Sequence, residues 1–346
     1  MKHQTTRYGE IPFYKIGTFG NTADAFISKK LFLEYKTKYS FPKKGDILIS
    51  ASGTIGRAVI YDGKPAYFQD SNIVWIDNDE TLVKNDFLFY AYSNVKWNTE
   101  HTTILRLYND NFRNTLIPLP PLNEQNAIAN ILSDLDRYLY NLDALILKKE
   151  GVKKSLSFEL LSQRKRLKGF NQAWQRVRLG DIANYLTSNL SVEQITQQGK
   201  IKVYDVNNFI GYTDTTFISD KPYISIIKDG SVGRVRILPP KTNILSTMGA
   251  LIANHKTTTE FLFYLLSNFD FKNFTSGSII PHIYFKDYKE KTIFLPPLNE
   301  QSTIANILSA LDNEIASLKN KKRQFENIKK ALNHDLMSAK IRVLKK

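Results

Sequence analysis

The chain has 346 residues, of which 42% are hydrophobic and 12% aromatic, and it carries a net charge of +15. This composition is that of folded domains and excludes a disordered chain, and the basic balance favours a polyanionic partner. The absence of cysteine excludes disulfides and thiolate metal sites, and the five scattered His do not favour a zinc cluster. The sequence opens without a signal peptide and contains no run of about eighteen apolar residues, so we expect a soluble protein in a reducing cytoplasm.

The first part of the chain, residues 1–118, predicts a mixed α/β domain. Three runs rich in β-branched and aromatic residues predict strands: 46–50, 57–61 and 72–76. Phe87–Ser93 predicts a short buried helix. The turn ASGTIGR offers backbone amides, hydroxyls and Arg57, which could contact phosphate or a base edge, although a plain hairpin turn is the alternative. A second polar loop follows the helix and carries basic and small polar residues: His101, Thr102, Thr103 and Arg106.

Residues 119–169 predict one long helix. The pair Pro120 and Pro121 prevents helix before it, and Asn123 is the predicted N-cap. Apolar residues recur at alternating spacings of four and three from Ile128 to Leu160, which is the heptad pattern of a coiled coil. About 44 helical residues span about 66 Å, too long for one helix to lie on a small domain.

Residues 170–294 predict a second mixed α/β domain with the same order of elements. Strands are expected over 223–227 and 233–238, with a turn DGSVGR before Arg234, and a buried helix over Phe261–Ser267. The polar loop that follows contains Ser276, Ser278 and His282. Residues 295–346 then predict a second long helix, with Asn299 as its N-cap and the same heptad spacing from Ile304.

The two halves are an internal repeat. LPPLNEQNAIANILSDLD at Leu119 returns as LPPLNEQSTIANILSALD at Leu295, with fifteen of eighteen positions identical at an offset of 176. The predicted fold class is therefore α/β, with two mixed α/β domains separated by two long antiparallel coiled-coil helices in a pseudo-twofold repeat. Antiparallel pairing is expected because the first helix leads into the second domain and the second must return. Lys153 and Lys329 interrupt equivalent seam positions, where a polar break can fix register.

The helices contain nearly all of the excess positive charge. Residues 148–168 carry a net +6 and residues 319–346 a net +8, which could be ordinary solvated helix surface. A spacer needs only the apolar seam, yet the two copies also agree at polar positions, which predicts two docking sites for one partner; a purely structural spacer is the alternative. The predicted docking residues are Asn123, Glu124, Gln125, Asn130, Asn299, Glu300, Gln301 and Asn306.

The doubled LPPLNEQ with its long helix, each copy after a divergent domain with a G-T-I-G-R type turn and a polar loop, resembles the specificity subunit of type I restriction-modification systems. The resemblance covers nearly the whole chain. It implies that 1–118 and 170–294 are target recognition domains, each reading half of a bipartite gapped sequence in double-stranded DNA, and that 119–169 and 295–346 are the conserved helices. The predicted DNA contacts are Ser52, Thr54, Arg57, Gln69, Asn72, His101, Thr102, Thr103, Arg106, Ser231, Arg234, Arg236, Ser276, Ser278 and His282.

The resemblance also implies partners. Two modification subunits would dock on the helices and methylate adenine, and translocating restriction subunits would complete the complex. The chain itself would be non-catalytic and would bind no cofactor or metal, with S-adenosylmethionine, ATP and Mg expected on the partner subunits.

One departure and several rival classes remain. The second domain opens with AWQRVRLGDI, but the first begins at RYGEIPFYKIG without that counterpart, so we expect it to lack an edge element. A methyltransferase would need an Asp/Asn-Pro-Pro-aromatic motif, which the sequence lacks, as it lacks a P-loop. A nuclease site at Asp24, Glu34 and Lys36 is weakly supported, because such spacing arises easily on a charged helix. The alternative function is a coiled-coil adapter whose two end domains bind protein partners.

Overall fold

The computed structural model describes residues 4–53, 55–68, 72–97 and 106–344. The chain forms two compact units, one comprising residues 1–143 and 320–346 and the other residues 144–319. Each unit thus contains one α/β domain and a half of each long helix, whereas the predicted boundaries treat the helices as separate segments. Among the described residues, no helix combines the length and apolarity needed to cross a membrane.

The first unit contains six short strands among its described residues: β1 (Ile11–Tyr14), β2 (Ala25–Ile27), β3 (Ile47–Ser50), β4 (Ala58–Ile60), β5 (Tyr67–Phe68) and β6 (Ile73–Trp75). They form two three-stranded sheets, in the orders β2-β1-β5 and β4-β3-β6. Its short helices are α1 (Lys29–Lys38), α2 (Asn85–Tyr92) and α3 (Asn109–Arg113). The predicted strands at 46–50, 57–61 and 72–76 and the predicted helix at 87–93 are confirmed to within two residues.

The second unit holds the remaining strands: β7 (Gln175–Arg178), β8 (Ala183–Thr187), β9 (Ile201–Tyr204), β10 (Phe209–Thr213), β11 (Tyr223–Ile227), β12 (Val235–Leu238), β13 (Thr242–Ile244), β14 (Met248–Ala253), β15 (Thr275–Ser276), β16 (His282–Ile283) and β17 (Thr292–Leu295). Its helices α5 (Thr259–Ser267) and α6 (Phe285–Tyr288) correspond to α2 and α3. A four-stranded sheet runs β12-β11-β14-β8, beside a three-stranded sheet β10-β9-β13 and the pairs β15-β16 and β17-β7. The strand predictions for 223–227 and 233–238 are confirmed.

The two units share the strand pairing of two sheets, and the second unit adds β8 to one of them. In each three-stranded sheet that contains β1 or β9, the central strand has one antiparallel neighbour and one parallel neighbour. In the other sheet, β3 pairs antiparallel with β4 and β6, as β11 does with β12 and β14. The internal repeat of the sequence is therefore a repeat of domain architecture.

The long helices are α4 (Leu122–Leu161) and α7 (Leu298–Met337), each of 40 residues. Both begin two residues earlier than predicted, because the amides of Gln125 and Gln301 already donate to the carbonyls of Pro121 and Pro297 at 2.9 Å. The prediction that Asn123 and Asn299 are N-caps was therefore wrong. Each asparagine lies in the first turn, where its Oδ1 accepts the amide of the glutamate that follows.

Within each unit the helix halves are antiparallel. In the first unit Asp136 pairs with Lys329 and Asp143 with Lys322. The residue numbers therefore rise along α4 while those of the paired residues fall along α7, as they do in an antiparallel pair. In the second unit the ion pairs run in the same sense: Lys149 with Glu314, Glu150 with Lys319 and Lys153 with Asp312. The heptad residues from Ile128 to Leu160 and from Ile304 to Leu336 are buried or half-buried, which confirms the predicted seam.

The α/β domains are fixed to the helices by apolar packing. Phe87 and Tyr90 of α2 lie in one cluster with Ile128 and Leu132 of α4 and Leu336 of α7. In the second unit Phe261 and Tyr264 of α5 pack in the same way with Ile304, Leu308 and Leu160. The short helices α2 and α5 thus each pack against both long helices, and this packing positions the loops described next.

Candidate nucleic-acid interface

In the second unit, the predicted turn joins β11 to β12 and is bent by two glycines. Gly230 and Gly233 have φ values of +85° and +81°, which side-chain-bearing residues rarely adopt. A Cβ on Gly233 would lie 2.6 Å from the ring of Phe271, so the turn also packs closely on an aromatic side chain. Between these glycines Ser231 is exposed, and Arg234 is exposed at the start of the outgoing strand.

The polar loop of the second unit lies directly against this turn. The amide of Gly230 donates to the carbonyl of Pro281, and the amide of Ile283 to that of Lys228, both at 2.9 Å. The side chains of His282 and Asp229 meet at 2.6 Å between Nδ1 and Oδ1. Residues 228–234 and 275–284, some fifty positions apart in the sequence, thus form one surface, which we call the second turn-and-loop cluster.

Exposed cations and an exposed apolar tip characterise this cluster. A cavity of about 440 Å³ lies between the turn and residues 271–275, and Arg234 and Lys272 form part of its wall. Ser276 and Ser278 are exposed on the loop. Between Ser278 and Pro281, Ile279 is 92% exposed, a position that the sequence analysis did not single out. Amides, hydroxyls, a histidine and cations around a protruding apolar side chain are the groups that contact phosphates and base edges.

The first unit builds the same arrangement with different residues. Gly53 and Gly56 of the turn between β3 and β4 have φ values of +68° and +80°, and a Cβ on Gly56 would collide with Trp97, the counterpart of Phe271. Ser52 forms a β-bridge with Arg106, where the second unit pairs Asp229 with His282. Its hydroxyl donates to Oδ1 of Asn72 at 2.8 Å. We call residues 51–53 and 55–57, together with 72 and 106–107, the first turn-and-loop cluster.

The remaining predicted contacts fall in three groups. Arg57 is exposed beside the first turn, and its guanidinium donates to the carbonyl of Phe19 at 3.0 Å. Arg236 lies on β12 and its contacts lead away from the cluster, because its guanidinium donates to the carbonyl of Asn207 and stacks over Tyr204. Five predicted contacts lie outside the residues that the structure describes: Thr54, Gln69, His101, Thr102 and Thr103.

Four of the predicted docking residues are buried. The side chains of Glu124, Gln125, Glu300 and Gln301 belong to residues that are at most 2% exposed. Burial removes these four side chains from any docking surface, and the prediction is corrected at these positions. The same residue types occur in both copies because their side chains make the same hydrogen bonds inside each unit, as described next.

Each glutamine fastens its long helix to its own α/β domain. In the first unit Gln125 accepts the amide of Lys84 through Oε1 and donates through Nε2 to the carbonyls of Leu82 and Pro120, all within 2.9 Å. In the second unit Gln301 accepts from the amide of Thr258 and donates to the carbonyls of Lys256 and Pro296. A fully satisfied buried amide of this kind fixes the junction in one geometry.

Each glutamate binds an arginine that follows the end of the other long helix, and the sequence analysis missed both arginines. Glu300 accepts two hydrogen bonds from Arg166 and a third from the indole of Trp174, while Glu124 accepts two from Arg342. The Arg342 guanidinium holds the pKa of Glu124 below its usual range. The signal was available, because the two arginines are separated by the same 176 positions as the helices.

The interrupting lysines of the seam have equivalent partners in the two units. Lys329 contacts Asp136 and lies over the ring of Tyr90, while Lys153 contacts Asp312 and lies over Tyr264. Both tyrosine hydroxyls also donate to these aspartates. Burial is the larger cause, and the hydrogen bond the second, of the raised pKa of each tyrosine. The exposed members of the predicted docking set are the asparagines at 123, 130, 299 and 306.

Comparison with known proteins identifies one family over both halves of the chain. The sequence matches the family described as Type I restriction modification DNA specificity domain over residues 1–149 and again over 171–327. The type I restriction enzyme MjaVIII specificity subunit of Methanocaldococcus jannaschii is 25% identical over 362 aligned positions, covering 92% of this chain and 84% of that protein. A Haemophilus influenzae protein, provisionally named a specificity subunit of the same enzyme class, is 63% identical over 137 residues; this match covers 39% of the chain and only 36% of that protein.

The fold is also similar to solved structures. The crystal structure of the S subunit of the type I restriction-modification system from M. genitalium aligns with a TM-score of 0.64 at 21% identity, covering 97% of this chain and 91% of that one. A chain from a structure of the assembled type I R-M system aligns with a TM-score of 0.52 at 16% identity, covering 85% and 82%. At these identities the likeness concerns the fold.

Proposed function

The chain belongs to the type I restriction modification DNA specificity family, and on that premise we propose that it reads a bipartite DNA sequence, one half with each turn-and-loop cluster. The family model matches the chain twice, once over each half of the repeat. A target in two unlike halves requires two unlike readers. The two clusters of this chain have different residues at equivalent positions. The role is sequence recognition, in a subunit that is itself non-catalytic.

The observation that carries this proposal is the equivalence of the two clusters. In both, a turn with two left-handed glycines packs on an aromatic side chain and is bridged to a residue further along the chain, Arg106 in the first unit and His282 in the second. The scaffold positions agree, whereas the bridging pair is Ser52 and Arg106 in one unit and Asp229 and His282 in the other. Ser52 is buried and binds Asn72, so Arg106 is the exposed member of the first pair. A common scaffold with different bridging residues supports a common kind of ligand with a different sequence.

The chemistry of DNA modification and cleavage is proposed to lie on partner subunits. Two modification subunits that use S-adenosylmethionine, and restriction subunits that use ATP and Mg, would supply it. The exposed asparagines at 123, 130, 299 and 306 are the candidate contacts for modification subunits, since their buried neighbours Glu124, Gln125, Glu300 and Gln301 are engaged internally. Two equivalent surfaces fit two copies of one partner.

The test uses the complex of this chain with its modification subunits and a duplex carrying the sequence that the complex methylates. Arg234→Ala and Arg57→Ala should each weaken binding about tenfold, because each removes one cation from a proposed cluster. Arg323→Ala removes an exposed arginine from the surface of α7 and serves as the matched control, with unchanged affinity expected. Equal losses in all three variants would indicate a general charge effect and would contradict the proposed sites.

The coiled-coil adapter that binds protein through its end domains is not favoured by the family match. The same binding experiment separates the two functions. An adapter would give binding that does not depend on DNA sequence, whereas specific recognition persists against an excess of unrelated duplex as the salt concentration rises.

A further inference from the structure

In the second turn-and-loop cluster, Asp229 holds the ring of His282 by one of its two nitrogens. Nδ1 of His282 and Oδ1 of Asp229 are 2.6 Å apart, and the two residues also form a β-bridge through their backbones. Their side chains are 35% and 29% exposed, so the pair lies at the surface and not in the core. The histidine ring therefore has a fixed place on the face that we propose meets DNA.

The partner of Nδ1 determines what the other ring nitrogen can do. A carboxylate only accepts hydrogen bonds, so its contact with Asp229 places a proton on Nδ1 of His282. A neutral imidazole carries one ring proton, and Nε2 is then its acceptor. Among the residues that the structure describes, no group is hydrogen-bonded to this Nε2. The pair thus presents an unused acceptor.

The loop around His282 has no side chain at the position nearest this acceptor. Gly277 has a φ of +90°, and an added Cβ would lie 3.2 Å from Cδ2 of His282, the ring atom bonded to Nε2. The same Cβ would lie 2.3 Å from the carbonyl oxygen of Ile280. Tyr284 stacks near the histidine, with ring centroids 6.4 Å apart and an interplanar angle of 22°. The surroundings therefore orient the ring without bonding to its free nitrogen.

A DNA duplex offers few donors to an acceptor of this kind. Phosphate and sugar oxygens only accept hydrogen bonds, whereas the exocyclic amines of adenine, cytosine and guanine donate them. We propose that Nε2 of His282 accepts a hydrogen bond from one base amine in the half of the target read by the second unit. Asp229 is then a positioning residue that fixes the tautomer. This inference rests on the proposed function and deepens it, since it names the chemical group that is read.

The equivalent position of the first unit has the opposite chemistry. There the bridge joins Ser52 to Arg106, and a guanidinium only donates hydrogen bonds. The two scaffolds would therefore place a donor in one half of the target and an acceptor in the other. Arg106→Ala is for this reason a matched comparison, because it removes the bridging side chain of the other cluster and leaves the Asp229–His282 pair intact.

The first experiment measures binding of the complex of the full chain with its modification subunits to duplexes that carry its methylated sequence. The half read by the second unit is the one that changes when residues 174–290 are exchanged. In that half, each adenine, cytosine and guanine is replaced in turn by an analogue that lacks only the exocyclic amine. One replacement should weaken wild-type binding about tenfold more than it weakens binding by His282→Ala. Arg106→Ala should show the same loss as the wild type.

The identity of that base also reports the groove. The amines of adenine and cytosine lie in the major groove, and the amine of guanine lies in the minor groove. His282→Phe keeps a ring without ring nitrogens and serves as the second variant if alanine disturbs the loop.

The second experiment determines the tautomer directly. In the full chain with isotope-labelled histidine, the ring-nitrogen resonances of His282 are assigned by their loss in His282→Phe. We expect a protonated Nδ1 and an unprotonated Nε2. In Asp229→Asn the amide can donate to Nδ1, so the ring should move toward the other tautomer and the dependence on the base amine should fall, while the complex still assembles.

Two results would overturn the proposal while sequence-specific binding persists. One is a protonated Nε2 in the wild type. The other is an effect of amine removal that is equal in the wild type and in both His282 variants at every base replaced. Wild-type binding that does not depend on DNA sequence would instead contradict the proposed function, and this inference with it.

Discussion

At the scale of single residues, the two Asn-Glu-Gln sequences have a meaning that their repetition alone does not reveal. The sequence predicted that these positions matter because both copies keep them, but it could not tell an external contact from an internal one. In the structure Gln125 and Gln301 fasten each helix to its domain, and Glu124 and Glu300 bind arginines that lie just after the end of the other helix. That difference depends on which groups tertiary packing brings beside a buried carboxylate, and local sequence does not contain this information.

The Arg166–Glu300 pair should stabilise the second unit. Glu300 is 1% exposed, so Arg166→Ala leaves a buried carboxylate whose remaining side-chain hydrogen-bond donor is the indole of Trp174. We expect a loss on the order of 2 kcal/mol in the free energy of unfolding, measured by urea-dependent hydrogen exchange in the first turns of α7. The control Lys168→Ala removes an exposed lysine nearby and should change little. Equal stability of both variants would mean that the pair is not a structural clamp.

The Arg342–Glu124 pair predicts a dependence on pH in the first unit. Because Arg342 lowers the pKa of Glu124, the pair contributes stability above the ordinary carboxyl pKa and loses it as the pH falls below about 4. Between about pH 7 and about pH 3, the wild type should therefore lose more stability than Arg342→Gln does. The stability of both proteins is measured by thermal unfolding at each pH. Profiles of stability against pH that run parallel for the two proteins would contradict this assignment.

At the scale of elements, periodicity was sufficient for the helices but not for the loops. The heptad spacing identified both long helices and their buried seam, and Lys153 and Lys329 were correctly recognised as breaks in it. Their partners, Asp312 and Asp136, could not be identified, because the pairing of two helices sets them. The turns and the polar loops were found separately. Only the sheet order brings His282 beside Asp229, some fifty residues earlier in the chain.

Because the native sequence has no cysteine, the antiparallel register can be tested by cysteine cross-linking. The pair Lys149→Cys and Glu314→Cys should cross-link with a flexible bismaleimide reagent, since Nζ of Lys149 and Oε1 of Glu314 are 2.8 Å apart and the reagent replaces the length of the two long side chains. The pair Asp143→Cys and Lys322→Cys should do the same in the first unit. Lys149→Cys with Lys330→Cys is the control, because Lys330 lies 16 residues further along α7, a rise of about 24 Å. Efficient cross-linking of the control alone would contradict the register.

At the scale of the whole molecule, the internal repeat was the most informative feature of the sequence. Its offset near 176 predicted two domains of one architecture, and two sheets of each unit share the same strand pairing. The identity of the bases read could not be predicted, since direct readout depends on where side chains lie in a groove.

The most direct test of the central idea, that each unit reads its own half of the target, is methylome sequencing of a host carrying a domain exchange. Residues 174–290 are replaced by the corresponding segment of another member of the family, while both long helices remain unchanged. We predict that one half of the methylated motif changes and the other half is preserved. A motif in which both halves change, or neither does, would contradict the account.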